Sequence, residues 1–82
     1  MDKVLEDIES IIQKSEDKYG SFASTHEALG VAVEEWDELR EAIHLNDIIA
    51  TRNECIDLAA VLIRLARSID ARDRNLINRS TK

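Results

Sequence analysis

The run Cys55-Ile56-Asp57-Leu58-Ala59-Ala60-Val61-Leu62-Ile63-Arg64-Leu65-Ala66 is almost uniformly apolar, interrupted only by Asp57 and Arg64. It belongs to a helix expected from about Asp47 to Ile69, with Asn46 or Asp47 able to cap its start. A helix that is apolar all round is buried on more than one side. Two neighbouring helices of the same chain cannot cover it fully. The stretch therefore predicts a second subunit, and a symmetric dimer with a four-helix core is the simplest arrangement.

Upstream of this run the chain reads as two more helices. From about Asp2 to Lys18, Val4, Leu5, Ile8, Ile11 and Ile12 follow the spacing of one helical face. Tyr19-Gly20-Ser21-Phe22-Ala23 breaks that period, with Gly20 as a helix stop. Ser24-Thr25-His26-Glu27 has the form of a capping box and opens a second helix, about Thr25 to His44. Its main apolar stripe is Leu29, Ala32, Val33, Trp36, Leu39 and Ile43. Leu45-Asn46-Asp47 is a short connection to the third helix, and the polar, arginine-rich segment from Asp70 to Lys82 reads as a tail. The expectation is one all-α domain over residues 1–82: a three-helix antiparallel protomer that forms four-helix-bundle cores as a homodimer or homotetramer.

Proline is absent, glycine occurs only at positions 20 and 30, and the aromatics are Tyr19, Phe22 and Trp36, a composition that favours helices. Cys55 is the only cysteine, so no intrachain disulfide reinforces so small a core. A net charge of −6 argues against electrostatic capture of nucleic acid or anionic membrane. It leaves room for an anionic substrate that arrives with its own cation. No signal-peptide core and no membrane span stand out, and one unpaired thiol suits a reducing compartment, so the expected location is the cytoplasm.

The chemistry lies in two acidic pairs. Glu35 and Glu38, led by Glu34, stand in Val33-Glu34-Glu35-Trp36-Asp37-Glu38-Leu39; Glu54 and Asp57 stand in Glu54-Cys55-Ile56-Asp57-Leu58. Residues three apart share a helix face, about 4.5 Å apart along the axis. Most helical glutamates simply face water. Glu54 and Asp57, however, border the most apolar stretch of the chain, where an unpaired carboxylate costs several kcal/mol. The short connection makes the two helices antiparallel neighbours, which brings the pairs together. Carboxylates so placed repel by about 4 kcal/mol per close pair at ~4 Å, and their protonation should be displaced upward. A hard divalent cation, Mg²⁺ or in its place Mn²⁺, is the natural partner of an all-oxygen set.

The pattern Glu34-Glu35-Trp36-Asp37-Glu38, fifteen intervening residues, then Glu54-Cys55-Ile56-Asp57 resembles the signature of MazG-like nucleotide pyrophosphohydrolases, of the all-α NTP pyrophosphatase superfamily. The flanks Tyr19-Gly20-Ser21-Phe22, His26-Glu27-Ala28-Leu29-Gly30-Val31 and Leu58-Ala59-Ala60-Val61-Leu62-Ile63-Arg64 are similar too, so the resemblance spans roughly residues 18 to 67. It implies Mg²⁺-dependent hydrolysis of a nucleoside triphosphate to the monophosphate and pyrophosphate. It further implies Glu35, Glu38, Glu54 and Asp57 as metal ligands, with Glu34 an additional ligand or the group that orients the attacking water; Glu34, Glu35 and Glu38 form the catalytic set. Longer members carry a further helix and basic residues beyond the third helix. Arg72, Arg74, Asn75 and Arg79 stand there as phosphate contacts or as a solvated tail.

Glu41-Ala42-Ile43-His44 has the form used by di-iron bundles, but such sites need a second copy of the motif and none exists; His44 suits a helix C-terminus. His26 is expected at the surface, Trp36 as a packed core indole and Cys55 as a small buried hydrophobe. Arg64 and Arg67 could pair with acids across a subunit interface. Two competing readings are a non-catalytic helical dimerisation or regulatory module, and a MazG-like fold that binds nucleotide without turnover.

Overall fold

A computed structural model of the chain describes residues 2–80, with side chains to Arg72. The described residues form three helices: α1 (Lys3–Tyr19), α2 (Thr25–His44) and α3 (Ile48–Ser80). Each start is capped by an acidic or hydroxyl side chain. Asp2 Oδ1 accepts from the Leu5 N–H at 2.8 Å, Ser24 Oγ from Glu27 at 3.1 Å, and Asp47 Oδ1 from Ala50 at 2.9 Å. Glu27 returns its carboxylate to the N–H of Ala23 rather than to that of the cap residue.

The α2–α3 connection is the tightest feature of the fold. Asn46 takes φ +56°; its N–H donates to the Ile43 carbonyl, and that of Asp47 to the Ala42 carbonyl. This is the Schellman pattern, with asparagine tolerating the left-handed position. Asp47 serves at once as the last residue of that motif and the cap of α3, so the chain reverses within three residues.

α1 and α2 both pack on α3, and among the described residues they do not pack on each other. One apolar cluster, Ile8, Ile12, Ile56 and Ala60, joins α1 to α3. A second, Phe22, Ala28 and Val61, joins the α1–α2 connection, α2 and α3. Ion pairs add ties from α1 to α3: Asp7 with Arg52 at 2.9 Å, Glu16 with Arg64 at 3.4 Å and Glu9 with Arg67 at 2.6 Å. Arg64 and Arg67 thus have acidic partners within the chain.

Four expectations are corrected. α3 does not stop near Ile69 but continues to Ser80, because nothing after Ile69 is a glycine or proline that would end it. Trp36 is not a core indole; it is 51% exposed. Of the expected α2 stripe, Leu39 is buried and Ala32 half-buried, whereas Leu29, Val33 and Ile43 are exposed. The face that meets α3 is instead the one bearing Ala28, Val31, Leu39 and Ala42, whose smaller members let the two backbones approach closely. Cys55, expected inside, is exposed.

The outward apolar residues are ordered. On α3, Ile48, Cys55, Leu62 and Ile69 recur at intervals of seven, which returns to almost the same side of a helix. On α2, Leu29, Val33, Trp36 and Ile43 line the side turned on average about 145° from Glu34. The helix expected to need cover on several sides therefore has an apolar face that no other described residue of the chain covers.

Candidate metal and nucleotide site

The hairpin sets the register of the acids. Glu38 lies eight residues before Asn46 and Glu54 eight after it; Glu35 and Asp57 lie eleven before and eleven after. Two antiparallel helices leaving one turn are level at equal distances from it, so each acid of α2 is placed opposite an acid of α3. Carboxylate oxygens of Glu35, Glu38 and Glu54 accordingly lie within 4.8 Å of one another. Asp57 stands one turn further along α3. It is outside that three-way set but close enough for its charge to act on both Glu35 and Glu54. Glu34 is exposed and lies on the wall of the adjoining groove.

Burial and mutual repulsion both disfavour charge here. Glu35 is pushed up from 4.5 to about 7, first by burial, then by the charges of Glu38, Asp57 and Glu54. Burial likewise comes first in raising Glu54, followed by the close approach and charge of Glu38. Asp57 is raised by burial and by the Glu38 charge. Facing carboxyls can hydrogen-bond only if one keeps a proton, which is why such a pair resists full ionisation.

The Oε2 atoms of Glu35 and Glu54 are buried and have no hydrogen-bond partner. An unpaired buried carboxylate oxygen is costly and calls for a partner. Two such atoms in a cluster of hard oxygen donors fit an oxygen-preferring divalent cation, and among the described residues no lysine or arginine pairs with them instead.

Because α1 and α2 are held apart, a groove of about 610 Å³ runs between them over α3. Glu35 and Asp57 line it at the acidic end, and Gly20, Ser21, Phe22 and Arg64 at the other. That volume falls within the range of small-molecule and cofactor clefts. The groove and the part played by Phe22 are what sequence reading missed. A signal existed: an apolar residue ahead of a helix cap often packs back on that helix, and Phe22, two residues before Ser24, packs with Ala28 of α2 and with Val61 of α3.

The other candidates are dispersed. His26 is exposed in the first turn of α2, and His44 ends that helix. Arg72 is exposed, and the side chains of Arg74, Asn75 and Arg79 lie outside the described residues. No family model, curated protein or solved structure matches this chain.

Proposed function

We propose that the chain is a Mg²⁺-dependent nucleoside triphosphate pyrophosphohydrolase of the MazG-like type, converting (d)NTP and water to (d)NMP and pyrophosphate. The observation that carries this reading is the meeting of two helical acid pairs, with two unpartnered buried oxygens, at the mouth of a nucleotide-sized groove. Glu35, Glu38, Glu54 and Asp57 would hold the ion, for which Mn²⁺ could substitute. When bound, a divalent ion offsets charge developing on phosphate oxygens and lowers the pKa of water in its shell. Glu34, on the groove wall, accepts the hydrogen bond of the attacking water and aligns it with the α-phosphorus. The water oxygen bonds to that phosphorus as its bond to the α–β bridging oxygen breaks; pyrophosphate leaves with the bridging oxygen, and the water's surplus proton passes by way of Glu34 to solvent. The groove's own carboxylates repel a bare triphosphate, so substrate enters as its metal complex. The same reading places the work in the cytoplasm.

The test is direct. Millimolar Mg²⁺ or Mn²⁺ should raise the melting temperature, since an ion that binds only the folded state stabilises it by mass action. A panel of dNTPs should yield pyrophosphate. A melting shift without pyrophosphate would identify a fold that binds without turnover; neither response would leave only a non-catalytic helical module.

The unpartnered α2–α3 face supports the second part of the proposal, a homodimer whose core is α2 and α3 from each copy. Contiguous exposed apolar stripes on two adjacent helices are the usual mark of an association surface. The mass in solution is expected to be at least twice 9.3 kDa. Replacing Val33 and Leu62 together by glutamate should reduce it to the monomer value by light scattering. A wild-type monomer at micromolar concentration would refute this assembly.

A further inference from the structure

Arg64 is the one charged side chain buried in the interior among the described residues, at 6% exposure. It also lines the groove, where it is the only cation among the described lining residues. It follows Asp57 by seven residues on α3, about two turns or ~10 Å along one face. Asp57 and the guanidinium therefore mark opposite ends of the groove floor.

Its contacts go to the junction of α1 and α2. Nη2 donates to the Gly20 carbonyl at 3.0 Å and Nε to Glu16 Oε1 at 3.4 Å, while the guanidinium carbon lies 4.2 Å from the centroid of the Phe22 ring. Gly20 has φ +72° and ψ −162°, a conformation essentially confined to glycine. Its N–H still closes α1 onto the Glu16 carbonyl, at 2.9 Å, while its own carbonyl is turned to Arg64. Planar stacking and a forked donor set are what distinguish arginine from lysine at such a place.

We propose that Arg64 is a positioning residue: it latches the Gly20 carbonyl and the Phe22 ring, closes the end of the groove away from Glu35 and Asp57, and so sets how tightly the organic part of the nucleotide is held. The inference rests on the nucleotide reading of the groove. A role as phosphate ligand is disfavoured on two counts. Two of the three guanidinium nitrogens and the face over Phe22 are already engaged, and the phosphates belong at the acidic end with their cation.

The test compares Arg64→Lys, Glu16→Gln and Gly20→Ala in the full chain by amide hydrogen exchange and steady-state kinetics with Mg²⁺-dNTP. The Gly20 and Ala23 amides, now bonded to Glu16 O and Glu27 Oε1, report on the latch. Arg64→Lys should speed their exchange by about tenfold or more. It should also raise KM by roughly tenfold or more with kcat within about threefold. The Mg²⁺-induced melting shift should be unchanged. Gly20→Ala should reproduce this pattern with Arg64 intact, and Glu16→Gln a weaker form of it. Should Arg64→Lys lose its helix content, the other two variants carry the comparison. Unchanged exchange at Gly20 and Ala23 in the folded variants overturns the latch. So does a kcat loss of about 100-fold with KM and exchange unmoved, which would make Arg64 a phosphate ligand. If the wild type hydrolyses no triphosphate, the functional reading fails, while the exchange measurement still decides the latch.

Discussion

Replacing either Glu38 or Asp57 by alanine should lower pyrophosphate release by at least ~10³-fold, the loss expected when several kcal/mol of charge stabilisation by a bound ion is withdrawn. The two variants attack the site from different helices. Glu38 belongs to α2 and to the three-way cluster, whereas Asp57 belongs to α3 and faces the groove. Far-ultraviolet circular dichroism should show undiminished helix in both. Among the described residues neither makes an ion pair; Glu38 approaches the Glu54 carboxyl, and each adds repulsion to its acidic neighbours. Melting in the absence of divalent ions should therefore be unchanged or slightly higher, and the Mg²⁺-induced rise should vanish. Loss of activity accompanied by lower metal-free stability would point to a packing defect instead. Activity within about tenfold of wild type in both variants would remove these acids from the reaction.

The meeting of Glu35, Glu38 and Glu54 is legible in the sequence because its geometry follows from the turn. Asn46 and Asp47 close α2 and open α3 within three residues, and the acid pairs are symmetric about that point. Spacing of three within each helix and equal distance from one turn together leave little freedom. The outward face was readable in outline only. Helical periodicity identifies apolar stripes, but α2 carries two of them about a right angle apart. One is alanine-rich, the other holds Trp36 and Leu29. Hydrophobicity ranks the second higher, so it looked like the core. The first, with its small residues, is the one that packs on α3, and the bulky stripe is left exposed.

The Arg64 contacts were hidden for a different reason. They depend on where a loop carbonyl points, and that is fixed by the Gly20 dihedrals rather than by any spacing along the sequence. The sequence offered Gly20 as a helix stop, which it is. It could not show that this stop would also deliver a carbonyl to a side chain forty-four residues away. The end of α3 is not legible in composition, because a polar run without glycine or proline can continue a helix.

Glu35→Gln should stabilise the metal-free protein at pH 8 while destroying its response to Mg²⁺. Glu35 titrates near 7 in place of 4.5. Between those values the folded chain binds more protons than the unfolded chain, so stability falls as pH rises through the window and levels off above it. Glu54 and Asp57 are displaced in the same direction and add to the fall. Asp7 and Glu9 are displaced downward by their basic partners, and their stabilisation is lost only at more acidic pH, outside this window. In a sealed site a pKa of about 7 against 4.5 would correspond to ~3 kcal/mol. Glu35 opens on the groove, and water reduces the effect to about 1–2 kcal/mol. The amide has no charge to desolvate, so the variant should melt about 5–10 °C higher at pH 8 and show a flatter pH dependence than wild type. Adding Mg²⁺ reverses the wild-type trend, because the ion competes with protons for the same oxygens: affinity rises with pH up to about 7 and binding releases protons, measurable by calorimetry in buffers of different ionisation enthalpy. An ion bound elsewhere would leave the variant's Mg²⁺ response intact. A metal-free wild type equally stable at pH 5.5 and pH 8 would mean that the acids do not crowd one another in solution.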